Sequence, residues 1–142
     1  MKIETKITIE SDVESVWNKL IDFENYSKWN SFITKIEGEK EIGASLIVDI
    51  VPPQGKKTTF KPIITKFDLK KELRWVGILG SKYLFRGEHY FIISANENGK
   101  TTLIHGEIFT GLLLPLFSCL GAQKTEDGFN LMNENLKKIV EL

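Results

Sequence analysis

With a single cysteine in 142 residues, the chain has no means of closing an internal disulfide, which fits a reducing, cytoplasmic setting. Cys119 lies in the apolar run LLLPLFSCL with no base or cation beside it, so it reads as a small buried hydrophobe rather than a nucleophile. Histidine is almost as scarce. Only two occur, and with a single cysteine no Cys-x-x-Cys pair can form, so no metal site and no cofactor are expected. An excess of one charge is missing too: 19 Lys plus Arg balance 19 Asp plus Glu. That argues against nucleic acid, whose phosphates need a local basic surplus; the Lys56–Lys57 pair in PPQGKKTTF reads as a solvated turn. The longest apolar stretch, Gly111 to Ala122, is well short of the ~20 residues of a membrane span, and the charged opening MKIETKITIE is unlike a signal peptide. GILGSK lacks the spacing of a phosphate loop, and no nucleophile elbow occurs. Repeats, linkers and low-complexity segments are absent, so residues 1–142 are expected to form one domain.

What is present is periodic. KIETKITI alternates as a half-buried strand over residues 2 to 9. SDVESVWNKLID follows with Ser11 as N-cap and Glu14 three residues on, a capping box opening a short helix. DFENYSKWNSF repeats an aromatic ring every three residues (Phe23, Tyr26, Trp29, Phe32), a second short helical turn. Strand-like runs then cover Phe32–Lys40, Ala44–Val51, Thr58–Asp68, Glu72–Leu79, Tyr83–Ala95 and Lys100–Gly111, parted by Gly43, PPQGKK, LKK, LGSK and NENG. From about Leu114 the period becomes helical, with Phe129, Met132, Leu136, Ile139 and Val140 in one stripe. Pro115 suits an N-terminal helical position, and Gly121 and Gly128 predict a bend or loose first turns. A seven-stranded antiparallel sheet with one long helix buries its apolar face most simply by curling around that helix.

This order of elements resembles the START-like, or SRPBCC, superfamily and its bacterial polyketide cyclase/dehydrase-like branch. The stretches that carry the resemblance are ITIESDVESVWNKLIDFENYSKWNSFI, ELRWVGIL, RGEHYFIIS, TTLIHGEIFTG and GFNLMNENLKKIVE. In the first of them Val16-Trp17, Asp22-Phe23, Tyr26 and Trp29-Asn30 match the family's typical pattern. The resemblance implies an α+β helix-grip fold: a seven-stranded curved antiparallel sheet around a long C-terminal helix, with two short helices after the first strand. It also implies an elongated cavity between sheet and helix, with the aromatic turn capping one side.

Strand alternation nominates the cavity wall. Charges choose the outer face, which leaves Trp75 inward on ELRWVGIL, and Phe85, His89 and Phe91 inward on FRGEHYFIIS. On TTLIHGEIFTG charge does not decide the face; the parity adopted turns His105, Glu107 and Phe109 inward. A turn centred on Asn98-Gly99 sets His89 roughly opposite Ile108, so His89 and Glu107 become diagonal neighbours. A buried carboxyl must pair or stay protonated, so His89, His105 and Glu107 are the candidate catalytic or anchoring groups. Trp29, Phe32, Phe60, Leu113, Phe117, Phe129 and Met132 complete the expected ligand-binding set.

Three functions are compatible with these residues. The favoured one is a carrier or sensor of a hydrophobic, amphipathic or aromatic small molecule, not an enzyme. The second is a cyclase/dehydrase-type lyase or isomerase with a cavity histidine as general base. The third is a partner-binding module of the quinone-binding or cofactor-assembly type. A monomer or weak homodimer is expected, and GLLLPLFSCLGA is either a lid or a patch allowing transient membrane contact.

Overall fold

A computed structural model describes all residues, Met1–Leu142. In chain order the elements are β1 (Lys2–Ile9), α1 (Val13–Leu20), a 3₁₀ turn (Phe23–Asn25), α2 (Tyr26–Trp29), β2 (Ile33–Glu37), β3 (Ile47–Ile50), β4 (Thr58–Phe60), β5 (Ile63–Asp68), β6 (Glu72–Leu79), β7 (Phe85–Ala95), β8 (Thr101–Thr110), α3 (Leu114–Leu120) and α4 (Ala122–Val140). The fold is α+β, as the element order predicts, with antiparallel curved sheets and a long C-terminal helix.

Eight strands form two sheets instead of seven in one. A five-stranded sheet runs β1-β8-β7-β6-β5 and a three-stranded sheet runs β2-β3-β4. The extra strand arises because Pro62 splits the run from Thr58 to Asp68: proline has no N–H for a ladder and marks edges and breaks. Its carbonyl still accepts from Leu46 N at 2.8 Å, while Ile64 N donates to Ala44 O at 3.0 Å. These bonds and the Ser45–Ile63 bridge hold the small sheet against the large one.

Two helix starts differ from expectation. Asp12, not Ser11, caps α1: its carboxylate accepts from Ser15 N at 2.7 Å. Ser11 is already committed, its N–H to Ile9 O and its carbonyl to the Thr101 hydroxyl. The C-terminal helical segment breaks at Gly121, while α4 runs unbroken through Gly128. The Phe32 ring lies against the helix there, and a Cβ on Gly128 would overlap its edge. Gly128 is a slot for a ring, not a weak point.

α4 sets Gly128, Phe129, Met132, Asn133 and Leu136 into the interior, following its apolar stripe, and packs on β1, β8 and α1. The aromatic turn is mostly core. Phe23 and Tyr26 are buried, and the Tyr26 hydroxyl donates to the Leu20 carbonyl, tying α2 to the end of α1. No helix is long and apolar enough to cross a membrane.

Candidate functional site

Between the small sheet, the middle of the large sheet and the two C-terminal helices lies a cavity of ≈ 250 Å³. Val48, Ile50, Thr58 and Phe60 close it from the small sheet, and Phe117 and Thr125 from the helices. Its floor comes from β6, β7 and β8. There Gly77 and Gly87 are direct cross-strand partners, so two adjacent positions carry no side chain. A Cβ on Gly77 would meet only Pro62, at 3.9 Å, whereas one on Gly87 would overlap Glu107 Oε2. The paired glycines are the reason there is open space above the sheet and room for a carboxyl on it.

The polar part of the site is a single chain of hydrogen bonds. His89 Nδ1 lies 3.1 Å from Glu107 Oε1, and His89 Nε2 lies 2.8 Å from His105 Nε2. His105 Nδ1 is 2.9 Å from Asn133 Oδ1, and Asn133 Nδ2 donates to the Thr5 hydroxyl at 2.8 Å. Thr5 in turn donates to the His105 carbonyl at 2.9 Å. β1, β7, β8 and α4 each contribute a member. Aromatic faces enclose both imidazoles: Trp75 stacks on His89 at 5.0 Å and Phe129 on His105 at 4.3 Å, with Phe91 touching both.

Enclosure sets the charge states. Loss of water around Glu107 pushes its carboxyl up to about 8, although 18% of the side chain stays exposed toward the cavity. Burial pulls His89 down to about 3. His105 falls well below the usual histidine range, first through burial and then through His89, with Asn133 and the Phe129 backbone opposing. Near neutral pH all three groups are therefore uncharged.

The hairpin places His89 directly opposite Glu107, one residue from the expected register. The turn is longer than Asn98-Gly99 alone: Asn96 N donates to Lys100 O, Gly99 N donates to Asn96 O, and Gly99 takes φ +74°. That is the pattern of a type I turn closed by a left-handed glycine.

Of the expected ligand-binding residues, Phe32, Phe60, Trp75, Phe85, His89, Glu107, Phe109 and Phe117 line the cavity. The other six do not. His105, Phe91, Phe129 and Met132 are buried behind it. Trp29 packs edge-on against Tyr26 at 4.9 Å, because α2 turns its rings toward α1 and β2; of the aromatic turn only Phe32 reaches the cavity. Leu113 lies at the start of α3, where its N–H bonds Leu84 O. Sequence reasoning missed Thr5 and Asn133, and it missed Val48, Ile50 and Thr58, whose alternation in β3 and β4 was the available signal.

Cys119 is exposed rather than buried. α3 lies across the cavity mouth and presses only one face inward, where Phe117 meets Phe85 and Phe109 at 5.3 and 4.4 Å. Leu112 and Leu120 stand 79% and 69% exposed on the other side.

The family model for polyketide cyclase/dehydrase and lipid transport matches residues 1–141. No curated protein matches the chain. Similar solved structures include a hypothetical protein from Helicobacter pylori, 13% identical with a TM-score of 0.82, covering 99% of this chain and 88% of that one. A START superfamily protein from Mycobacterium smegmatis is 17% identical with a TM-score of 0.78, covering 99% and 97%. A protein from Thermus thermophilus is 16% identical with a TM-score of 0.77, again covering 99% and 97%. Identities this low speak for the fold alone.

Proposed function

The chain belongs to the polyketide cyclase/dehydrase and lipid-transport family, and from that premise we propose that it is a cytoplasmic carrier or sensor of a small, largely apolar molecule, acting as a single domain over residues 1–142. The observation that carries this reading is the cavity itself. It is walled by Phe, Trp, Val, Ile and Pro side chains, floored by two opposed glycines, and has one carboxyl at its base. Concave apolar sites with few polar groups are what small-molecule recognition uses.

A general-base role for a histidine has less support. Both nitrogens of each imidazole already have partners, His105 is fully buried, and burial lowers the basicity of both rings. A base needs a free lone pair within reach of the proton it takes.

The test is native mass spectrometry of the protein isolated from its own cells, run beside Gly77→Leu. The Gly77 Cβ direction opens into the cavity, so leucine fills the space without displacing backbone. The expected result is a non-covalent adduct on the wild type that is absent from a folded Gly77→Leu variant. A wild type free of adduct, or equal adduct on both, would overturn the reading.

A further inference from the structure

We infer that the cavity is built to receive a hydrogen bond, so that its occupant is an uncharged, largely aromatic molecule whose single hydroxyl or N–H points at Glu107 Oε2. This rests on the ligand-binding reading above and specifies the ligand class for that same cavity.

Each hydrogen along the polar chain has one place to go. Thr5 has one to give and gives it to the His105 carbonyl, so its oxygen receives the Asn133 amide N–H. That orients the amide with Oδ1 toward His105 Nδ1, which therefore carries a hydrogen. In a neutral imidazole the other nitrogen is then a bare acceptor. His105 Nε2 faces His89 Nε2, so the hydrogen between them belongs to His89. His89 Nδ1 is left as an acceptor, and the atom facing it, Glu107 Oε1, must be a hydroxyl. Every hydrogen in the chain thus points one way, and Glu107 offers the cavity only its carbonyl oxygen, Oε2. That oxygen lies over Gly87 on the floor.

Nothing charged competes. No Lys, Arg or Asp lines the cavity, and His89 is its only other titratable side chain. Ile3 faces Glu107 from β1; Lys2 and Glu4 alternate to the opposite face, where Glu4 accepts from Tyr90. From α4, Thr125 is engaged with the Gly121 carbonyl at 3.0 Å. The raised carboxyl and lowered imidazoles agree with this assignment. An anionic ligand would find no cation, the acceptor oxygen of Glu107 at the base and the Thr58 hydroxyl as a neutral donor at the wall, and would lose its hydration with little compensation. The rings of Trp75, Phe85, Phe109 and Phe117 suit a flat occupant.

Three probes sharing one ring system decide the matter: naphthalene, 2-naphthol and 2-naphthoate, titrated near pH 7 by calorimetry. The expected result is that 2-naphthol binds about tenfold more tightly than naphthalene, the worth of one net hydrogen bond, and that 2-naphthoate does not bind measurably. Glu107→Gln should keep the naphthol preference, because its amide N–H serves His89 and its carbonyl replaces Oε2. Glu107→Leu should bring naphthol down to the level of naphthalene. Equal binding of naphthol and naphthalene, naphthoate binding as tight as naphthol, or loss of the preference in Glu107→Gln would each overturn the inference while leaving cavity binding intact. Failure of all three probes would overturn both. Should Glu107→Leu not fold, the wild-type series and Glu107→Gln still decide.

Discussion

The base and the mouth of the cavity are built on opposite terms. At the base, in β1, β7, β8 and α4, the polar chain from Thr5 to Glu107 is hydrogen-bonded throughout, and both imidazoles are clasped between aromatic rings. At the mouth, β4 is exposed along its whole length, α3 buries no residue, and Leu112, Leu116 and Leu120 face solvent. A fully paired polar network in a low-dielectric interior tolerates little change, since any orphaned member keeps its desolvation cost. A thin apolar rim held by a few contacts opens at low cost. On the proposed function, recognition falls to the rigid end and access to the loose one.

Mutations at the two ends should separate accordingly. Phe129→Ala removes the ring that stacks on His105 and meets Phe32, and should cost about 3–5 kcal/mol of unfolding free energy in urea denaturation. Asn133→Leu keeps the volume but leaves His105 Nδ1–H and the Thr5 oxygen without partners, for a loss of about 1–3 kcal/mol. At the mouth, the double change Leu112→Ser and Leu116→Ser should stay within about 0.5 kcal/mol of wild type, while lowering the binding of a hydrophobic surface dye. A large loss from the leucine pair, or tolerance of Asn133→Leu, would erase the contrast.

The sequence made the base partly legible and the mouth hardly at all. Alternation along β6 and β7 put Trp75, Phe85 and His89 inward, because Arg74, Arg86 and Glu88 demanded the other face. On β8 that logic gives no guide: Glu107 turns in against the usual preference of a carboxylate, and the longer Asn96–Lys100 turn brings it level with His89. Thr5 and Asn133 escaped notice because nothing local marks them; they meet across most of the chain. Pro62 hid the small sheet by splitting what looks like one strand. In GLLLPLFSCLGA, apolar content alone does not distinguish a buried helix from one that covers a cavity with a single residue, Phe117, turned in.

The protonation state of Glu107 is the point on which the account turns, and the pH dependence of stability measures it. A carboxyl near 8 in the folded state holds a proton that the unfolded chain releases near 4.5, so Glu107 lowers stability as pH rises between those values. His89, at about 3 folded and 6.5 unfolded, raises stability with pH below about 6.5, as His105 does. Above pH 6.5 the histidine contribution dies away, and it cancels against Glu107→Gln, which keeps both rings. Urea denaturation at pH 6.5 and pH 8 should therefore show the wild type losing up to about 2 kcal/mol relative to Glu107→Gln across that interval. A constant difference between the two proteins, or a relative gain by the wild type, would mean that the cavity holds a carboxylate, and the neutral chain of hydrogen bonds would be refuted.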